Sequence, residues 1–126
     1  MAFVEMNLNP LGKHVGDCVV RAISTVLNYD WDRTYIELAL HGFMYGDMPS
    51  SNAVWGSYLR GKGFTHHALP DTCPDCYTVR DFCSDYPYGI YLLSTGTHTI
   101  PVIDGRYIDT WDSGDEAIFS YWRKEM

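Results

Sequence analysis

Cys18, His98 and the aspartates that follow His98 are the residues of this 126-residue chain whose types and order could carry covalent chemistry. Cys18 sits in the segment Gly16-Asp17-Cys18-Val19-Val20-Arg21-Ala22-Ile23. The recurrence of Val19, Ile23 and Val26, with Val20 and Leu27 beside them, predicts an amphipathic helix that starts with Asp17 as its N-cap and stops near Asn28. A cysteine in a first helical turn faces free N–H groups and the positive end of the helix dipole, and both favour thiolate over thiol. The same cysteine is also readable as a small buried apolar residue. What the rest of the chain brings to it decides between the two.

A hairpin brings an imidazole and a carboxylate together. Residues 97–103 (THTIPVI) and 106–111 (RYIDTW) are β-rich runs separated by Asp104-Gly105, the pair that favours a two-residue type I′ turn. With that turn, Ile103 faces Arg106 and paired positions sum to 209, so His98 faces Trp111 and Ile100 faces Asp109. Side chains alternate along a strand, which makes His98 and Asp109 diagonal neighbours on one face, while Asp112 points to the other face unless a bulge intervenes. A carboxylate against one ring nitrogen fixes the tautomer and stabilises the cation. A thiol in front of the other would complete a Cys-His-Asp triad. Taken alone, His98 reads as an ordinary histidine at a strand end.

The remaining elements must position these three residues. Asp30 caps a second predicted helix, with Trp31, Tyr35, Leu38 and Ala39 on one face and Gly42 as its end. Ser50 or Ser51 caps a third, carrying Val54, Trp55, Tyr58 and Leu59 and closed by Gly61 and Gly63. Residues 69–78 (LPDTCPDCYT) form a loop, and a short helix follows over 78–85. Residues 89–94 (GIYLLS) are nearly all apolar and fit a strand buried on both faces; residues 117–122 (AIFSYW) supply one more. Pro101 cannot donate to a sheet ladder, so it belongs at an unpaired position or beside a bulge. Helices first and an antiparallel sheet afterwards make a single α+β domain over 1–126, helical over about 1–63 and sheet over about 64–126.

The sequence elements around the candidate triad resemble a known family. Gly16-Asp17-Cys18-Val19-Val20-Arg21-Ala22-Ile23, then Gly96-Thr97-His98, Val102-Ile103-Asp104-Gly105 and Asp109-Thr110-Trp111, look like the papain-like cysteine peptidase pattern, in the order Cys, His, acid. They are most similar to small members from phages and bacteria of the Gram-positive lineages. The resemblance covers about a third of the chain. It implies a nucleophile helix packed on an antiparallel sheet, with Cys18 at the helix N-terminus and His98 and Asp109 on adjacent strands. It implies thiol hydrolase or acyltransferase chemistry on a peptide, isopeptide or small amide, with no cofactor required. A phage origin would put the protein in the host cytoplasm. The family usually places a Gln before the cysteine as an oxyanion donor, and this chain contains no Gln. Asn9, Lys13 and His14 are the candidates to replace or support it, beside the Cys18 N–H. Asp17, Trp111 and Trp55 are candidates for the substrate pocket. The alternative is a papain-like binding module that sequesters a small molecule or inhibits a host protein without turnover.

Composition bounds the partners. Nine basic against sixteen acidic residues give a net charge of −7, which lacks the cationic footprint of a nucleic-acid binder and disfavours an anionic membrane surface. No apolar run approaches the ~20 residues of a membrane span, and residues 1–6 have no signal-peptide character, so a cytoplasmic protein is expected. Cys73, Cys76, Cys83 and His67, with His66 adjacent, could supply a structural zinc site; a redox pair and free or buried thiols are the other readings. The acidic turn 112–116 (DSGDE) reads as a cation loop or a solvated one. Residues 47–52 (DMPSSN) read as an anion-binding helix start or an ordinary capped one.

Overall fold

The computed structural model describes residues 2–125. In chain order the elements are β1 (Phe3–Glu5), α1 (Cys18–Leu27), α2 (Trp31–Tyr45), α3 (Asn52–Gly61), β2 (Phe64–Ala68), α4 (Val79–Asp85), β3 (Ile90–Ser94), β4 (Thr99–Ile103), β5 (Arg106–Asp109) and β6 (Ser120–Lys124). The architecture is α+β, with the six strands in one sheet of order β1-β5-β4-β3-β6-β2. None of the described helices is long and apolar enough to cross a membrane.

The sheet is mixed, which corrects the antiparallel expectation. β1 pairs in parallel with β5, Val4 opposite Ile108, while the other ladders are antiparallel. Two strands escaped the sequence pattern. β1 is only three residues long. β2 (FTHHA) is a polar edge strand, with Thr65 and His66 exposed and only Phe64 fully buried, so it has no apolar alternation to read. α2 also continues past Gly42 to Tyr45 and ends at Gly46, whose left-handed φ of 64° suits a helix stop. Gly42 is instead a packing glycine, because a Cβ there would lie 2.7 Å from the Asp47 carbonyl. The last strand starts at Ser120, later than expected; Ala117 makes only an isolated bridge to Thr78.

β3 is buried on both faces, as its apolar run requires. Leu92 joins a core with Ala22, Ile23 and Val26 of α1, Leu38 of α2, Trp55, Tyr58 and Leu59 of α3, and Trp122. Tyr91 and Leu93 join a second core with Val79 and Phe82 of α4, Ile100, Val102, Tyr107 and Ile118. The sheet is therefore covered by α1 to α3 on one face and by α4 on the other. Burying a large apolar side chain contributes about 1.5–3 kcal/mol, so these two clusters anchor the layers that hold the site.

The β4–β5 hairpin turns at Asp104 and Gly105, with φ of 50° and 75°, both in the left-handed region that a type I′ turn demands. Ile103 pairs with Arg106 and Val102 with Tyr107, the register that sums to 209. Pairing with β5 stops there. Pro101 pairs only with Leu92 of β3, so its missing N–H falls where the β5 ladder has ended.

Candidate active site

α1 delivers Cys18 as its first residue. Asp17 holds the N-cap position, yet its side chain caps no helical N–H. Its carboxylate turns aside to accept from Arg21 Nε at 2.8 Å, Trp31 Nε1 at 3.0 Å and Asn9 Nδ2 at 3.2 Å. Burial alone would raise the Asp17 pKa, but these bonds and the Arg21 charge hold it below the usual carboxylate range. Two consequences follow for the thiol. The first-turn N–H groups are not consumed by a capping side chain, and the adjacent negative charge is neutralised by Arg21.

The hairpin delivers the other two groups. His98, just before β4, places Nε2 2.7 Å from Oδ2 of Asp109, the last residue of β5. Nδ1 is the ring nitrogen left for the Cys18 thiol, which lines the same cleft as His98. Asp109 is 2% exposed and fully engaged. Oδ2 also accepts from Ser113 Oγ at 2.8 Å, and Oδ1 accepts from the Thr110 N–H at 2.8 Å and from Arg21 Nη1 at 3.3 Å. Burial pushes its pKa up, but the His98 and Ser113 bonds outweigh that and keep it anionic. Asp112 has a different role: its carboxylate accepts from Arg80 Nη2 at 2.9 Å and from the Tyr107 hydroxyl. Arg80 also pairs with Asp115, so the acidic turn is braced by a guanidinium.

The electrostatics of the thiol follow. Burial by itself raises the Cys18 pKa, but the neighbouring polar groups of His98 and Thr99, with the His98 charge, bring it down to about 7. Among the described residues the buried Thr99 hydroxyl has no hydrogen-bond partner. Burial lowers His98, but its bonds to Asp109 and Cys18 raise it to about 9. Between those values the pair is thiolate and imidazolium, a nucleophile facing an acid. Cys83, buried in the second core, is instead pushed up to about 11 by desolvation alone. The two free thiols are thus pushed in opposite directions.

Cys18, His98, Asp17 and Arg21 line a cleft of about 380 Å³ together with Lys13, His14, Thr97 and Thr110, and Trp111 at its lip. Trp111 lies beyond the end of β5, is 47% exposed, and stacks on the His98 ring at 5.4 Å and 25°. Lys13 and His14 are exposed residues that line the same cleft as Cys18. Asn9 does not point into the cleft. Its Nδ2 serves Asp17 and its Oδ1 accepts from the backbone N–H groups of Leu11 and Lys13, so it shapes the loop that carries Lys13 and His14.

Other sequence expectations fall elsewhere in the molecule. Trp55 does not line the Cys18 cleft: it is 4% exposed, packed near Trp122, bonds Asn52 and borders a separate pocket between α3 and β6. Its place on the inner face of α3 explains this, because that face supplies the first core. The four zinc candidates do not converge. Cys73 and Cys76 are joined in a disulfide, Cys83 is in the second core, and His67 stacks on Tyr121 and bonds Thr65. Among the described residues no three His, Cys, Asp or Glu side chains are grouped to hold a metal ion. Ser51 caps α3 without a side-chain bond, and Pro49 and Ser50 border an apolar groove beside the cleft.

Arg21 and Ser113 were not singled out from the sequence. Arg21 had a signal: it lies four residues after Asp17 and three after Cys18, which puts it on the helix stripe shared by both. Ser113 had none, because a loop of unknown path carries it. No family model, curated protein or solved structure matches the chain.

Proposed function

We propose that the protein is a papain-like thiol hydrolase or acyltransferase acting on a peptide, isopeptide or small amide. The observation that carries this reading is the alignment at the head of α1: a thiol brought to about 7 and an imidazole whose far nitrogen is held 2.7 Å from a buried, fully bonded carboxylate. The Cys18 thiolate attacks the carbonyl carbon and forms the C–S bond. The resulting oxyanion meets the Cys18 N–H and the positive end of α1, with Lys13 and His14 at hand. His98 then passes its proton to the leaving nitrogen as the C–N bond breaks. Water, or an acceptor amine in the transferase case, opens the thioester with His98 taking its proton as base, and as the C–S bond breaks the thiolate–imidazolium pair is restored. Asp109 keeps the proton on Nε2 throughout and steadies the imidazolium. Arg21, Ser113 and Thr110 hold Asp109 in place.

Iodoacetamide labelling followed against pH tests the nucleophile, with Cys83 in the same chain as reference. Cys18 should alkylate with a midpoint of about 7 and lose that advantage in His98→Ala. If Cys18 in the folded protein reacts no faster than Cys83, the assignment is wrong.

A further inference from the structure

The thiol cleft does not end at its own wall. Lys13, Val15, Gly16 and Asp17 form a shared border with a second groove of about 560 Å³, which runs between the N-terminal loop, the outer side of α1 and the start of α2. Its surface is mainly apolar: Leu11, Val15, Val20, Trp31, Tyr35 and Leu38. Asp17, the carboxylate on its wall, is spent on Arg21, Trp31 and Asn9 and offers no free acceptor to a charged ligand. Trp31 and Tyr35 stack at 5.0 Å and 20°, forming a flat aromatic wall. Leu11 is 75% and Tyr35 52% exposed, so apolar surface stands open to water beside the reactive sulfur.

Resting on the thiol reading above, we propose that this groove is a specificity subsite for one large aromatic side chain of a peptide substrate, adjacent to the bond attacked by Cys18. The volume lies within the range of small-ligand sites and suits a bulky side chain. A ring in the groove would cover the exposed Leu11 and lie along the Trp31–Tyr35 wall in the offset arrangement aromatic pairs favour. The continuity with the cleft places the binding energy of that ring where it orients the reacting carbonyl.

Three chloroacetamides test this, carrying N-methyl, N-(2-phenylethyl) or N-octyl groups. In each the Cys18 thiolate displaces chloride, the C–S bond forming as the C–Cl bond breaks. The phenylethyl reagent should alkylate Cys18 at least tenfold faster than the methyl reagent, measured as a second-order rate constant by intact mass. That ratio should fall to within threefold of unity in Leu11→Asp and in Tyr35→Ser. It should persist in Phe43→Asp, since Phe43 is exposed and does not line the groove. A wild-type ratio near one, with the methyl reagent labelling Cys18 normally, removes the subsite alone. A ratio that survives both groove variants removes it too. An octyl rate well above the phenylethyl rate replaces the aromatic side chain with an alkyl chain and overturns the proposal as stated. Failure of every reagent to label Cys18 ahead of Cys83 removes the nucleophile, and the subsite with it.

Discussion

Asp109→Asn separates orientation from folding, because the two side chains have the same shape. Asn can still accept from the Thr110 N–H through its oxygen, and Ser113 can rotate to accept where it now donates. Arg21 keeps its 2.8 Å bond to Asp17. What changes is the atom facing His98. An amide NH₂ in place of Oδ2 donates to Nε2, which forces the ring proton onto Nδ1, the nitrogen that faces the thiol. His98 also loses the anion that outweighs its burial and should drop from about 9 to the ordinary 6.5 or lower. That fall corresponds to about 3 kcal/mol, since one pH unit is 1.36 kcal/mol. Without an imidazolium beside it, the half-buried Cys18 returns to its ordinary value of about 8.5 or above. At pH 7 the thiolate fraction then falls from about one half to about 3%, roughly a 15-fold loss in alkylation rate. Amide turnover should fall further, because the wrong tautomer also blocks proton transfer; the comparable change in serine triads costs ~10⁴-fold. Stopped-flow alkylation from pH 5 to 10, with circular dichroism to verify the fold, measures both. An Asp109→Asn protein that alkylates with the wild-type midpoint and rate refutes the orienting role of Asp109. Asp112→Asn is the paired control and should leave the midpoint unmoved, since Asp112 serves Arg80 and Tyr107.

Other outcomes follow from the same geometry. Turnover of any substrate should trace a bell against pH, rising through about 7 as Cys18 ionises and falling through about 9 as His98 loses its proton; a single rising limb above pH 8.5 would exclude the ion pair. Arg21→Met leaves Asp17 and Asp109 buried without their shared cation and should cost about 3 kcal/mol of stability in urea unfolding, whereas a loss under 1 kcal/mol would mean the network is dispensable. Gly42→Ala drives a Cβ toward the Asp47 carbonyl and should destabilise by about 1–3 kcal/mol, despite the better helix propensity of Ala; a stabilised variant would show that the 47–49 loop yields freely.

The geometry of the candidate site was legible because it depends on short-range rules. Asp104-Gly105 admits one tight turn, the turn sets the register, and the register sets which aspartate meets His98. Cys18 was legible because the α1 pattern has a clear beginning. Long-range placement was not. β1 and β2 are held by neighbours far away in sequence, so their polarity and shortness left no local trace. Gly42 and Gly46 look alike in sequence, and only the approach of the 47–49 segment decides which one ends α2. Asp17 is the most instructive case. Its type and position say N-cap, and locally that would win, since a capping bond contributes about 1 kcal/mol. Three partners outbid it: the Arg21 guanidinium one turn along α1, and an indole N–H and an amide from outside the helix, all aimed at one buried carboxylate. Because that carboxylate is drawn off the helix end, the N–H groups ahead of α1 remain open beside Cys18. The departure from the local rule thus leaves room at the helix N-terminus for the negative charge that thiol chemistry must develop there.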